Sequence, residues 1–233
     1  MGFNMSWFDD FVSLIYPRIC FACSKTLFRY ENCICTFCLY HLPRTDFHLH
    51  DDNPVCKLFW GKAQLHSAAS MYYFYKGGKV QQLMHKLKYK GQSEIGIYLG
   101  NMYGKELIKT TRFNTVNYII PVPMHPKKQK KRGYNQSEII ARGLSQSMNA
   151  TVDTATLIKS TSTQTQTRKS RFSRWENVKE VFELKEHNHL IDKHVLLVDD
   201  VITTGSTLES CILNLLKVPG IKISVASLAC AYH

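Results

Sequence analysis

The chain has 233 residues, 44% hydrophobic and 21% charged; that is enough for one main core with a small appendage, and no run approaches the ~20 apolar residues of a membrane helix. Thirty Lys and Arg against 18 Asp and Glu give a formal charge of +12, which points to polyanionic partners, nucleic acid or phosphorylated small molecules, although a merely solvated basic surface would look the same. No basic n-region with an apolar stretch and cleavage site opens the chain, so a cytoplasmic location is expected, and the myristoylation-like start Met1-Gly2-Phe3-Asn4-Met5-Ser6 is too short a pattern to imply an anchor.

Residues 1–17 read as a short amphipathic helix: Trp7, Phe8, Phe11, Val12, Leu14 and Ile15 recur at helical spacing and Pro17 closes the segment. A stripe this short suits packing against the adjoining domain better than membrane or partner binding. Residues 18–56 hold six of the eight cysteines and little periodicity, as expected of a unit organised by metal rather than by core. Cys20-x-x-Cys23 and Cys35-x-x-Cys38 form two knuckles with eleven residues between them, and in a reducing compartment such pairs supply four thiolates for tetrahedral, structural Zn2+. A redox motif needs one pair in a βαβ setting, which this segment lacks. Cys33, Cys56, His41, His48 and His50 lie outside the paired spacing and are not required as ligands.

Residues 65–233 read as an α/β domain. A strand from Ala68 to Tyr75 ends at Gly77-Gly78, and Val80, Leu83, Met84 and Leu87 mark a helix with Gly91 as its C-terminal cap. Ile95, Tyr98, Leu99, Met102 and Leu107 mark a second helix; Val116 to Val122 is a buried strand opening at Pro121-Val122-Pro123 into a lysine-rich loop, Lys127 to Arg132. Asn135 and Glu138 look like the capping box of a helix from Ser137 to Met148, and Ser160 to Ser173 reads as a long exposed loop. Val195 to Val198 is a strand, Leu208, Cys211, Ile212, Leu215 and Leu216 a helical stripe ended by Pro219-Gly220, and Ile221 to Leu228 a further strand. Strand, helix and strand in that order make a right-handed βαβ unit with parallel strands. Cys211, on that stripe, and Cys230, after the last strand, are expected to be packing residues.

Between that strand and helix stands Asp199-Asp200-Val201-Ile202-Thr203-Thr204-Gly205-Ser206-Thr207. Such loops at the carboxyl ends of parallel strands bind ligands, and the hydroxyl-rich turn can offer N–H and O–H donors to a phosphate at the positive end of the helix. A Ser206/Glu209 capping box would account for two of these residues but not for adjacent carboxylates, which suit a vicinal diol. A Walker B strand would also place acids here, but no G-x-x-x-x-G-K-[ST] loop accompanies it; Gly77-Gly78-Lys79 is the nearest piece.

The segment Val195 to Thr207 resembles the phosphoribosyl pyrophosphate (PRPP) motif of type I phosphoribosyltransferases. Together with Pro121 to Pro126, Arg132 to Gln136, Arg174 to Val178 and the cysteine segment, the chain resembles the ComF family, linked to DNA uptake in competent bacteria. The resemblance implies a type I phosphoribosyltransferase-like parallel sheet with flanking helices plus an N-terminal zinc-ribbon-like segment. It also implies that Asp199 and Asp200 hold the ribose hydroxyls, that Thr203 to Thr207 wrap the 5′-phosphate with Val201 also at the PRPP site, and that Pro121, Val122 and Pro123 open the pyrophosphate loop, with Mg2+ carried by PRPP. Arg132 is the preferred residue for the departing pyrophosphate, and Arg168, Lys169, Arg171 and Arg174 lie on the second loop, which in that fold closes over the ligand. The amidophosphoribosyltransferase label given to relatives is not carried over, because glutamine-dependent members use an N-terminal cysteine and this chain opens Met1-Gly2. Two functions are compatible with these residues: phosphoribosyl transfer to an acceptor that no hood-like segment identifies, or a non-catalytic PRPP-binding or single-stranded DNA-binding competence factor that meets other competence-machinery proteins. For DNA, Lys86, Lys88, Tyr89, Lys90 and the lysine loop mix positive charge with an aromatic ring.

Overall fold

The computed structural model describes residues 16–159 and 182–231; the helix expected at Trp7–Ile15, the Ser160–Ser173 loop and Arg168, Lys169, Arg171 and Arg174 lie outside them. The described residues form, in chain order, α1 (Thr36–Tyr40), α2 (Pro54–Lys57), β1 (Ser67–Phe74), α3 (Lys79–Tyr89), α4 (Glu94–Leu107), β2 (Tyr118–Pro121) and α5 (Pro126–Arg132). After these come α6 (Gln136–Met148), β3 (Thr151–Val152), β4 (Leu157–Lys159), β5 (Phe182–Leu184), β6 (His194–Ile202), α7 (Ser206–Leu215) and β7 (Lys222–Ala231). Five strands form one all-parallel sheet in the order β1-β7-β6-β2-β3, and β4 and β5 form a separate antiparallel ribbon.

β6 lies at the centre of that sheet because Val195, Leu196, Leu197 and Val198 are wholly buried, as a strand covered on both faces by helices must be. The β-strand runs on to Ile202, so Asp199 and Asp200 belong to it rather than to the loop after Val198. Likewise β7 extends to Ala231 and takes in Cys230, which packs inside the strand instead of following it.

Helices α4 and α6 pack almost backbone to backbone. A Cβ on Gly100 would stand 2.5 Å from the Ile140 carbonyl oxygen, and one on Gly143 would stand 2.5 Å from that of Ile97. Gly96, Gly100 and Gly104 repeat at i, i+4 and i+8 along α4, and this flat stripe lets α6 sit close enough to press its first turn toward the end of β6. The cysteine segment joins the same core: Pro43 and Thr45 bond to Tyr73 and Met71 of β1 at 2.9 and 3.2 Å, covering that sheet edge. Buried Asn53 caps α2 through its Oδ1 and donates from Nδ2 to the Ala68 carbonyl at 2.8 Å, tying the segment to β1. No helix among the described residues is long and apolar enough to cross a membrane.

Candidate functional site

The turn after β6 is shaped by Gly205, whose φ of +76° is the left-handed conformation that other residues resist. It is the N-cap of α7 and makes no side-chain cap; Ser206 is already the first helical residue, so the expected Ser206/Glu209 capping box does not form. Instead Thr204 Oγ1 and Ser206 Oγ meet at 3.1 Å. The Ser206 N–H meets Thr204 Oγ1 at 3.5 Å, and at this turn lies a hollow of about 40 Å³ lined by Asp199 and Val201 to Leu208. By the ~10–15 Å³ that a water occupies, this is roughly three waters' worth, the scale of one phosphate group. Leu58 and Phe59 back the turn: a Cβ on Gly205 would stand 3.3 Å from Phe59 Cζ.

The carboxylate pair has two partners that sequence spacing does not reveal. Lys88, from the end of α3, places Nζ 2.9 Å from Asp200 Oδ2. Ser137, in the first turn of α6, donates its hydroxyl to Asp199 Oδ1 at 3.0 Å, and the same oxygen accepts the Asp200 N–H at 2.8 Å. Burial pushes the Asp199 carboxyl up, the Asp200 charge adds to it, and the Asp200 N–H, Ser137 and Lys88 pull against them, leaving it at about 7. A carboxyl poised there can gain or lose its proton near neutrality. The one local hint for Lys88 is its place directly beside Leu87 on the buried stripe of α3; for Ser137 it is its place just after the Asn135 cap.

Pro121 pairs with Val198 at the end of β2, the Val122 N–H donates to the Val198 carbonyl at 2.8 Å, and Val122 in turn accepts from Asn135 Nδ2 at 2.9 Å. These bonds seat Pro121 and Val122 beside β6. Asn135 does cap α6, through Ser137 N–H at 3.1 Å, whereas Glu138 turns to Arg142 instead of completing a capping box. Pro123 lines a cavity of about 550 Å³ between this turn and the β4–β5 ribbon. The Lys127–Arg132 stretch is the helix α5, not a loop: His125 Nδ1 caps Lys127 N–H, Pro126 takes the first position, and Gly133 closes it at φ +87°. Arg132 bonds to Gln136 Oε1 at 2.8 Å and lies 5.2 Å from the Tyr89 ring centroid. It shares a cavity with Lys88, the residue that reaches Asp200.

Cys20, Cys23, Cys35 and Cys38 converge, with their sulfurs all within 4.8 Å of one another, an arrangement that could hold a metal ion. Cys33, Cys56 and the nearby histidines are not part of this group. Cys20 Sγ accepts N–H bonds from Ala22 at 3.4 Å and Cys35 at 3.3 Å; burial opposes the thiolate, but the N–H groups of Cys35, Cys23 and Ala22 prevail and bring this thiol down to about 7. Burial, then the neighbouring sulfurs of Cys23 and Cys35, push Cys38 up to about 12. Four thiols so close favour charge only with a cation among them.

The parallel sheet, with paired carboxylates ahead of a hydroxyl-rich turn at the end of its central strand, has a phosphoribosyltransferase-like arrangement, and residues 131–232 match the family model "Phosphoribosyl transferase domain". It is 32% identical over 138 residues to DNA utilization protein YhgH of Escherichia coli O157:H7, covering 58% of this chain and 60% of that protein. It is 33% identical over 144 residues to Competence protein F of Haemophilus influenzae, covering 60% and 62%. The chain thus spans about 60% of the length of the curated relatives it matches. Purine phosphoribosyltransferase from Pyrococcus horikoshii is 20% identical, with 61% of this chain and 76% of that one aligned, at a TM-score of 0.34, too loose a superposition to add to the sheet order.

Proposed function

We propose that this chain binds PRPP with Mg2+ at the end of β6 and transfers its phosphoribosyl group to a nucleophilic acceptor. The observation that carries the reading is the Asp199–Asp200 pair set directly ahead of the phosphate-sized hollow at the start of α7. In this reading the two carboxylates accept the ribose 2′- and 3′-hydroxyls, while the Thr203-Thr204-Gly205-Ser206-Thr207 turn donates to the 5′-phosphate. The C1′–O bond to pyrophosphate breaks as the acceptor's lone pair forms the new bond. The protein's work is to hold the ribose and to favour the departing charge, with Pro121, Val122 and Pro123 beside the pyrophosphate and Arg132 toward it. Magnesium bound to the pyrophosphate would neutralise part of its charge.

Zinc is the metal proposed for the cysteine cluster. Tetrahedral zinc with Zn–S bonds of ~2.3 Å separates its sulfurs by about 3.8 Å, and Cys23 and Cys35 stand 3.8 Å apart. A site closed by four sulfurs stabilises the fold and leaves no open position for chemistry.

Calorimetric titration with PRPP and Mg2+ tests the first reading: Asp200→Asn should weaken binding by roughly 1–3 kcal/mol, the scale of a lost charge-assisted hydrogen bond, and unchanged affinity sinks it. A screen of nucleobases and amines for pyrophosphate release then separates an enzyme from a binder. Binding without release under any acceptor favours a PRPP-responsive competence factor.

A second reading, single-stranded DNA binding, is favoured by cation–aromatic pairs along α3. Lys79 Nζ lies 5.1 Å from the exposed Phe37 ring and Lys86 Nζ 5.8 Å from that of Phe21, an alternation that suits stacked bases and their phosphates. The names of the similar proteins point the same way. Affinity for an oligonucleotide must then fall steeply with salt, about 0.7 counterion per neutralised phosphate, and Lys79→Glu with Lys86→Glu must flatten that slope. Binding indifferent to both rejects the reading.

A further inference from the structure

The chain that leads from the cysteine segment toward β1 passes directly behind the phosphate turn, and it is held there firmly. Asn53 is buried and fully bonded. Its Oδ1 accepts the Val55 and Cys56 N–H groups at 3.0 and 3.1 Å, and Nδ2 shares its hydrogens among the carbonyls of Phe47, His50 and Ala68 at 3.2, 2.9 and 2.8 Å. Pro54 takes the first helical position, so α2 starts in one fixed direction. One turn later the Phe59 N–H donates to the Cys56 carbonyl at 3.1 Å, and the Phe59 carbonyl accepts from Lys62 and Ala63, both at 3.0 Å. Phe59 is thus pinned before and after, and is only 1% exposed.

The tip of its ring meets Gly205. A Cβ there would stand 3.3 Å from Phe59 Cζ, 3.4 Å from Cε1 and 3.6 Å from Leu58 Cβ, its three nearest neighbours outside the turn. Thr203, Thr204 and Ser206 are exposed, while Gly205 between them is buried. A glycine adopts positive and negative φ about equally readily, so its own backbone does not hold the φ of +76° that shapes the turn; something packed behind it must. We infer that Phe59 is a positioning residue for phosphate binding: it presses on Gly205 from behind and keeps the donors of Thr203 to Thr207 converged on one phosphate. The stretch after the cysteine segment is then part of the ligand site, acting through Gly205 rather than on the ligand. This rests on the proposed role of the turn toward the 5′-phosphate.

The test uses the full chain and ribose 5-phosphate, which carries the phosphate and the diol without pyrophosphate. Calorimetric Kd and denaturant midpoints are measured for Phe59→Leu, Phe59→Val and Phe59→Ala. Affinity should fall in that order, reaching roughly tenfold below the wild type in Phe59→Ala, the scale of one lost hydrogen bond to a charged group. If Phe59→Ala does not fold, the two milder variants still give the trend. Leu58→Ala keeps the Cβ that lies against the turn and should bind as the wild type does. Leu99→Ala, a buried truncation on α4, should lower stability but leave the affinity of the folded protein unchanged. Thr204→Ala should cost less in a Phe59-truncated background than in the wild type, because the converged geometry is already lost. Affinity that stays flat along the Phe59 series overturns the inference. So does an equal weakening in Leu99→Ala, or losses from Phe59 and Thr204 that simply add. A wild type that binds neither ribose 5-phosphate nor PRPP removes the functional reading and this inference together, whereas binding of both with a flat Phe59 series removes this inference alone.

Discussion

On the proposed reading, the proton on Asp199 ties PRPP affinity to pH. Its carboxyl stands at about 7, raised first by burial and then by the Asp200 charge, and on that reading PRPP selects its ionised form, the stronger acceptor of a ribose hydroxyl. About nine tenths is ionised at pH 8 and about one tenth at pH 6, a penalty of about 1.4 kcal/mol, or a tenfold rise in Kd between the two. The ligand's phosphates titrate in the same range, so the measurement is a difference: calorimetric Kd from pH 5.5 to 8.5 for the wild type and for Asp199→Asn, which cannot ionise. The variant should keep only the ligand's own slope. Ser137→Ala, which removes the hydroxyl 3.0 Å from Asp199 Oδ1, should move the wild-type midpoint to higher pH. For the free protein the sign reverses: a carboxyl raised on folding adds stability below its unfolded value, and that stability fades as pH rises through about 7. Equal pH slopes in the wild type and Asp199→Asn would refute the proposal that this carboxylate holds the ribose.

The remaining expectations concern the fold that supports the site. Cys20→Ser or Cys38→Ser should release one equivalent of zinc and loosen residues 18–56, read by metal analysis and hydrogen exchange; native protein purified without zinc would contradict the Cys20, Cys23, Cys35, Cys38 assignment. Gly100→Ala drives a methyl to 2.5 Å from the Ile140 carbonyl oxygen and should cost about 1–3 kcal/mol in denaturant unfolding, the scale of overpacking, whereas an unchanged midpoint would mean that α4 and α6 are not in such close contact. His194 is buried, with its ring between Thr115 Oγ1 at 2.8 Å and Ser224 Oγ at 2.9 Å. Burial first, then Lys222 and His66, lower it to about 3; a histidine held neutral stabilises the fold above its unfolded value near 6.5, so about 2 kcal/mol should be lost between pH 6.5 and 5. A His194→Gln variant with the same loss would remove that explanation.

Local spacing carries the two chemical motifs because their residues are neighbours along the chain. The Cys20/Cys23 and Cys35/Cys38 knuckles need only tight turns to bring two sulfurs together, and Val195 to Thr207 is strand, turn and helix start in one continuous piece. The ends of α5 are legible too, with Pro126 at its first position and Gly133 just past its last, but the run of lysines between them has no apolar stripe to announce a helix. What only the tertiary structure decides is which distant groups meet the carboxylates. Lys88 is 112 positions before Asp200, and Ser137 is 62 before Asp199. They arrive because the glycine stripe of α4 lets α6 pack closely and because β2 and β6 are hydrogen-bonded neighbours. A one-dimensional pattern records which residues could be charged partners; the helix packing and strand order that choose among them are properties of the folded core.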